Sequence, residues 1–488
     1  MRSKQRSISI SHHESVEETR EVDVVVVGSG VSGSSAAMTA ARSGARVAML
    51  EKSETFGGSA ALSAGMFWTA PTVEAYQARI PLGNLELGAR LVGDYADALA
   101  ELRASGVRVA DEPKQDIMTF GIGYSTDIHA ILAWCREEVV AAGGQVRTSS
   151  PVIELLYDGG RVTGVVARED GNRLVRYEAK AVILATGGFQ GARDELTLQI
   201  GPNADRLMLR SNPGSVGDGL RLARAAGAGG TKAMSTFYGH LLPYPVDRFQ
   251  PEDYLPYSQY YSGSTMLVNL LGERFTDETE GDELLNQAVT FQPQARGVLI
   301  FDEHVRSTEA IEEPFPGLGA TDRFATAVDA GGTYAVADTL SELLDQVAAW
   351  GIDRIALGLT LDAYADAVAS GGGVARGIKV SAAARAPQQG PFYALMVQPS
   401  ITFTFGGVRT NTDGEALDYD GRPIPGLYAA GADIGGLSNY GYAGGLAPGY
   451  ITGRWAGRTA SQQAAAVQLK RGPALINAAQ STTHGETA

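Results

Sequence analysis

Cysteine is nearly missing from this chain. Cys135 is the only one, so no disulfide can close within the chain and no cysteine cluster can hold a metal. Positive charge is also in deficit: 40 lysines and arginines face 55 aspartates and glutamates, a net charge of -15, which argues against an electrostatic grip on nucleic acid or anionic lipid. Long apolar runs are lacking too, and no stretch reaches the length that spans a bilayer. The first twenty residues hold no apolar signal core and read as a flexible tail, with His12 and His13 solvated. These absences predict a soluble, reduced, cytoplasmic protein without a metal.

Glycine, by contrast, is abundant, at 61 of 488 residues, and 44% of the chain is hydrophobic, enough for a large core and more than one domain. The glycines cluster in particular loops. The most informative lies between Glu21 and Glu51, where four valines, Val24 to Val27, run into Gly28-Ser29-Gly30-Val31-Ser32-Gly33. A small-residue helix (Ser34 to Ser43) and a second apolar strand (Arg46 to Leu50) follow, ending at Glu51 and Lys52. The first glycine of such a GxGxxG turn lets the chain leave the strand sharply, the second admits a pyrophosphate to the backbone, and the third lets helix and strand pack closely. The helix N-terminus then offers free N–H groups and a positive dipole end to the phosphates. Glu51 stands where an acid accepts from the adenosine ribose. A bound dinucleotide is the expectation.

Later segments extend that site. Gly57 to Gly65 places Gly58, Ser59, Ser63, Ala64 and Gly65 where backbone and hydroxyls reach the far phosphate, the ribityl chain or an isoalloxazine, and it contains no histidine for a covalent flavin bond. Leu85 to Ser105 and Asp127 to Gly143 have helical spacing. Val152 opens a hairpin around Asp158-Gly159-Gly160. The apolar strand in Ala179 to Gly188 runs into Ala185, Thr186 and Gly187, and Asp218 opens a helix within Ser215 to Gly229. Between Lys232 and Gln388 the pattern changes. Aromatic and proline residues crowd Phe237 to Tyr261, the segment from Met266 reads as strand, turn and second strand, and helices are expected at Leu340 to Trp350 and Leu361 to Ser370. Glycine loops return after Pro391, with Asp433 placed to accept from a ribityl hydroxyl and a helix beginning near Leu446 that aims its N–H groups at the flavin pyrimidine.

Taken together, GSGVSG with Glu51, the GG-S loop, ATGGF, VNLLGERFTDE, FGGV and IPGLYAAGADIGG resemble the superfamily of fumarate reductase and 3-ketosteroid dehydrogenase flavoproteins, in order and over nearly the whole chain. The resemblance implies an α/β fold, a Rossmann-like FAD-binding domain of the glutathione reductase type with an inserted α+β capping domain. It also implies noncovalent FAD and chemistry at a carbon-carbon bond next to a carbonyl. The expected division is tail 1–20, FAD-binding domain 21–231 and 389–472, cap 232–388, and tail 473–488.

Departures from the pattern select a branch. Thr402-Phe403-Thr404-Phe405 replaces the His-His-Thr of fumarate reductases, Ser438 to Gly445 contains no arginine, and the acidic segment after Arg274 offers none either. A diacid site wants paired guanidinium groups, so fumarate chemistry ranks low on this reading. Tyr440 and Gly444 instead match the tyrosine and glycine with which ketosteroid dehydrogenases polarise a ketone. Similarity to tricarballylate dehydrogenases keeps a polycarboxylate substrate open, with Arg210 and His240 as carboxylate contacts for it or for a small ring bearing both ketone and carboxylate. For the general base, Tyr257, Tyr260, Tyr261 and Tyr442 are candidates, Tyr261 and Tyr442 leading. The expected reaction is desaturation alpha,beta to a ring ketone, in a steroid or a smaller keto acid such as 4-oxocyclohexanecarboxylate. Electrons would pass to an external acceptor (quinone, dye or dioxygen). A non-catalytic flavin carrier is the alternative outside enzymes.

Overall fold

Residues 16–231, 233–246, 249–313 and 319–467 are described by a computed structural model of the chain. The four valines form β1, Val24–Val27, buried at every position, as a strand covered on both faces must be. The chain turns at Gly28 into α1, Val31–Arg42, and returns as β2, Val47–Leu50, again fully buried. Completing the sheet are β3 (Gln145–Arg147), β4 (Ala181–Leu184), β5 (Glu415–Leu417) and β6 (Pro423–Ala429). Their order is β5-β6-β4-β1-β2-β3. All neighbours are parallel except β5, which runs against β6. The carboxyl ends of β1, β2 and β4 therefore lie along one edge, where open α/β sheets bind their ligands.

The last helix, α2 (Leu446–Ala466), lies on α1. Gly453 and Gly457 make that possible: a Cβ at either would stand 2.3 Å from the Ser32 carbonyl oxygen or 2.4 Å from that of Ala36. Close approach brings the N-termini of both helices to the same end of the sheet.

The capping domain is built on a second sheet whose central strand is Phe392–Ile401, buried at all ten positions. It pairs with Gly297–Asp302, Leu241–Pro243, Tyr334–Ala337 and Met208–Leu209, and Met266–Asn269 pairs with Gly297–Asp302. Alternate residues go to opposite faces. Val298, Ile300 and Ala394 meet Leu343, Val347 and Leu357 on one side, while Leu299, Phe301 and Leu395 meet Leu285, Val289 and Phe324 on the other.

Three expectations need correction. Phe392–Ile401 lies past the boundary placed at residue 388, yet it belongs to the cap sheet because only the cap offers it strand partners on both edges. The second strand expected after Gly272 is reduced to a single bridge between Val268 and Arg274. There the chain coils around Glu278, which accepts from the Leu267 N–H and from the Arg274 guanidinium. The expected tail at 1–20 ends in a strand, Glu18–Glu21, beside Arg173–Glu178, with Arg20 bonded to Glu169 and Tyr177. His12, His13 and the expected tail at 473–488 lie outside the described residues. Among the described residues no helix is long and apolar enough to cross a membrane, and no group of His, Cys, Asp and Glu could hold a metal ion.

Candidate active site

A cavity of about 690 Å³ runs from the carboxyl edge of the first sheet to the face of the cap. Its first half is the cradle foreseen in the glycine loops. Gly28, Ser29, Gly30, Val31 and Ser32 line it, with Glu51, Lys52, Gly58, Ser59, Ser63, Ala64, Val152, Ala185, Thr186, Gly187, Asp218 and Leu446. Gly28 has φ +101°, and a Cβ there would fall 2.3 Å from the Ala185 carbonyl oxygen. At Gly30 an added Cβ would meet nothing nearer than 3.9 Å, so its absence leaves space at the mouth of α1. Neither α1 nor α2 is capped by a side chain, so their first N–H groups remain for an anion. Glu51 is ordered by the Ser29 N–H (3.0 Å), the Ser29 hydroxyl (2.7 Å) and the Ser53 N–H (2.8 Å). Lys52 pairs with Asp218 at 2.7 Å across the cavity mouth. The cradle fits a dinucleotide.

Of the cradle candidates, Gly65 and Asp433 work otherwise, while the third glycine of the turn packs as expected. Gly33 is a packing residue, because a Cβ there would overlap the Gly28 carbonyl oxygen at 2.0 Å. Gly65 faces the Thr126 carbonyl oxygen rather than the cavity. Asp433 is buried off the wall, where its carboxylate accepts from the Thr186 N–H and hydroxyl and from the Gly188 N–H. It therefore holds the 186–188 turn in place and has no oxygen turned to the cavity. Burial raises its pKa against the pull of those hydrogen bonds.

The far half is aromatic and cationic. Tyr442 stacks on Tyr238 with ring centroids 3.9 Å apart, and Trp68 and Phe403 meet Tyr442 edge-on at 5.1 and 5.4 Å. Gly444 lines the wall beside them. Tyr440, the residue matched to the ketone-binding tyrosine, does not: its side chain is 43% exposed and its backbone sits at φ +67° in a tight turn bridged by Asn439 and Gly441. The turn reverses the chain there, so Tyr442, two residues on, is the tyrosine brought to the cavity. Tyr261 is also displaced, packed edge-on against Phe301 in the cap core. His240 is fully buried one layer behind the wall, bonded to the Tyr238 hydroxyl and to Asp282. Tyr260 lines the wall, whereas Tyr257 does not.

The expected want of paired guanidinium groups is overturned. Arg210 and Arg323 are both buried and both line the cavity. Arg210 donates to the Tyr254 carbonyl (3.1 Å), the Thr402 hydroxyl (3.2 Å) and the Tyr260 hydroxyl (3.4 Å). Arg323 lies over the Tyr260 ring at 5.1 Å and donates to the Glu312 and Thr321 carbonyls. Among the described residues, neither has a carboxylate within ion-pair distance, and Arg323 Nε is buried without an acceptor. Burial accordingly depresses the Arg323 pKa. Asp282 and Glu312 act on Arg323 only from beyond ion-pair distance, and two buried cations outside any ion pair are costly, which makes the pair a candidate site for an anion.

Sequence reasoning missed Arg323, Tyr238 and Asp282. Arg323 has no motif around it, being simply the first residue of a short helix capped by Asp322. Tyr238 could have been found, since it stands two residues from His240 in extended chain, and that spacing puts both side chains on one face.

Burial raises the pKa of Tyr238, Tyr260 and Tyr442, so all three are neutral hydroxyls near pH 7. His240 is pushed down by its burial against the opposing pull of Asp282, and it is neutral as well.

A sequence profile described as FAD binding domain matches residues 107–446. The chain belongs to this family. A second profile, FAD dependent oxidoreductase, matches residues 23–189. This flavoprotein is 30% identical over 475 residues to NADH:fumarate oxidoreductase of Klebsiella pneumoniae, matching 91% of its own length and about half (48%) of that protein's. It is 26% identical to 4-oxocyclohexanecarboxylate 2-dehydrogenase of Sinomonas cyclohexanicum, over 95% of this chain and 96% of that one. The crystal structure of 3-ketosteroid-delta4-(5alpha)-dehydrogenase from Rhodococcus jostii RHA1 superimposes with a TM-score of 0.71 at 22% identity, over 92% and 98% of the two chains. FAD is thus the dinucleotide, and the chain is that of an FAD-dependent oxidoreductase.

No histidine or cysteine is found among the described residues lining the cavity. Acid precipitation of the purified protein should therefore leave its yellow colour in the supernatant. Flavin retained in the pellet would contradict noncovalent binding.

Proposed function

We propose that this flavoprotein is a dehydrogenase that introduces a double bond alpha,beta to the ring ketone of a small alicyclic keto acid, of the size and chemistry of 4-oxocyclohexanecarboxylate. FAD, when bound, supplies the two-electron acceptor for hydride. The observation that carries this reading is the pair of buried guanidiniums of Arg210 and Arg323, neither in an ion pair among the described residues, facing the same cavity as an aromatic box. A carboxylate would pair with both guanidiniums and offset one of their two charges, with Tyr260 held between. A neutral steroid would leave both cations unpaired. The rings of Tyr238, Tyr442, Trp68 and Phe403 suit a small apolar ring.

Removing hydride from the beta carbon requires loss of a proton from the alpha carbon, whose acidity rises only if the developing enolate oxygen is held by fixed donors. Tyr442 and the main-chain N–H of Gly444 are assigned that role in place of Tyr440. A phenol kept neutral by burial donates without surrendering its proton outright. The reduced enzyme would be reoxidised by an external quinone, dye or dioxygen. The same guanidinium pair favours a second reading, a polycarboxylate dehydrogenase or fumarate reductase.

Anaerobic bleaching of the flavin separates the readings. The panel is 4-oxocyclohexanecarboxylate, a 3-ketosteroid, tricarballylate and succinate, with fumarate offered to the photoreduced enzyme. The keto acid should bleach the wild type, and Tyr442→Phe should slow it on the order of 10²-fold with FAD content unchanged. Bleaching by succinate or tricarballylate alone would move the assignment to diacids, and no response to any compound would favour a flavin carrier.

A further inference from the structure

One group of buried polar side chains is left over from the assignments above. Tyr238 is part of the cavity wall. Its hydroxyl lies 2.7 Å from His240 Nε2, and His240 Nδ1 is bonded to the Asp282 carboxylate. The chain thus runs from the cavity to a carboxylate one layer inside the cap, with a neutral imidazole as its middle member. Ser262 donates to the other Asp282 oxygen at 3.3 Å.

The fold holds this chain rigidly. Ser400 clasps the His240 main chain from both sides, accepting from its N–H at 3.0 Å and donating to its carbonyl at 2.6 Å. Asn286 in turn clasps Ser400, accepting from its N–H and donating to its carbonyl at 2.9 Å each. Asn286 stands one helical turn after Asp282 in Asp282–Thr290. Imidazole and carboxylate are therefore fixed to one another through the backbone as well as through their own bond. Such support is what a group needs if it is to hold a proton at a defined place.

The two stacked tyrosines are not equivalent. Among the described residues, the Tyr442 hydroxyl is bonded to no histidine or carboxylate, whereas the Tyr238 hydroxyl has both in series behind it. A neutral phenol is a poor base alone. With an imidazole accepting its proton as it gains another, it becomes a competent one, as a serine does beside histidine.

We propose that Tyr238 is the catalytic residue that takes the alpha proton of the substrate, with His240 and Asp282 as positioning residues that receive and stabilise the displaced charge. The proposal rests on the dehydrogenase reading above. The alpha C–H bond breaks and its electron pair enters the new carbon-carbon double bond, while the beta hydrogen leaves with its own pair as hydride to the flavin, the oxidant. The proton joins the Tyr238 oxygen, and the phenol's original proton crosses to His240 Nε2. The imidazolium so formed is balanced by Asp282. Arg210, Arg323 and Tyr260 also face the imidazole, and the two arginines oppose its charging. The substrate carboxylate, seated on those arginines, would relieve that opposition and so couple binding to base strength.

Two measurements on the FAD-loaded protein test this. In ¹⁵N-histidine NMR, with His240 assigned by its loss in His240→Gln or by its shift in Tyr238→Phe, Nδ1 should be protonated and Nε2 an unprotonated acceptor. A protonated Nε2 would overturn the relay, because the phenol would then have no acceptor. In rapid anaerobic mixing with 4-oxocyclohexanecarboxylate in D₂O, Tyr238→Phe should lose at least 10²-fold in bleaching rate and in deuterium exchange at the alpha carbon, with FAD content unchanged. Asp282→Asn should keep substrate affinity while lowering the bleaching rate and shifting its pH profile. Wild-type bleaching and exchange in Tyr238→Phe would refute the proposal. If the keto acid fails to bleach the wild-type flavin, the substrate reading falls, and the NMR result alone then decides the relay.

Discussion

Replacing Arg323 with methionine should lower kcat/KM for a keto acid on the order of 10² to 10³-fold, about 3 to 4 kcal/mol of lost charge-assisted binding, and leave FAD content unchanged. Arg210→Met should act in the same direction. The stability effect should not follow the activity effect. Arg323 is a buried cation with no carboxylate partner among the described residues and with Nε unsatisfied. Removing it relieves a desolvation cost that offsets the loss of its bonds to the Glu312 and Thr321 carbonyls. The melting temperature should thus stay level or rise while keto-acid turnover falls. A structural arginine would do the reverse. Cyclohexanone, which carries the ketone without the carboxylate, supplies the control, since its weaker turnover should be indifferent to both substitutions. Equal losses on the two substrates would remove the guanidinium pair from substrate binding.

Gly28→Ala should yield a protein that either fails to accumulate or is isolated without flavin. Two costs add at one atom. The backbone at φ +101° is one that an alanine enters only under strain, about 1 to 3 kcal/mol. The new methyl would also lie 2.3 Å from the Ala185 carbonyl oxygen, and overpacking of this kind costs about 1 to 3 kcal/mol more. The overlap can be relieved only by parting β1 from the turn after β4, which carries Ala185, Thr186 and Gly187 to the cavity. Cofactor loss should therefore accompany the fall in stability, read as free FAD in the flow-through and as a lowered thermal midpoint. Normal FAD stoichiometry with an unchanged midpoint would show that the turn is not the tight element described.

The register of the last glycine motif shows how a pattern can be right and its residue wrong. Tyr440 has the spacing to Gly444 that the resemblance asks for, and Gly444 does reach the wall. A left-handed residue at 440, closed by the bridge from Asn439 to Gly441, sends the Tyr440 side chain outward, and the Gln287 side chain holds its carbonyl at 2.9 Å. Spacing along a chain measures contour length and not direction. One reversed residue is enough to exchange an exposed tyrosine for a buried one.

Local rules reached much of the cofactor half of this protein. A run of valines, three glycines at fixed spacing and an acid at the end of the next strand are contiguous, and each constrains only its neighbours, so β1, α1, β2 and the glycine turn that joins them could be read without a partner in sight. The substrate half could not be read in this way. Arg210, Tyr238, Asp282, Arg323 and Tyr442 come from five separate segments and meet only because Phe392–Ile401 pairs into the cap sheet and carries the cap over the cradle. Whether an arginine is a solvated surface charge or a buried, unpaired one depends on which distant residues surround it. That environment is set by the folded cap rather than by anything adjacent in the chain.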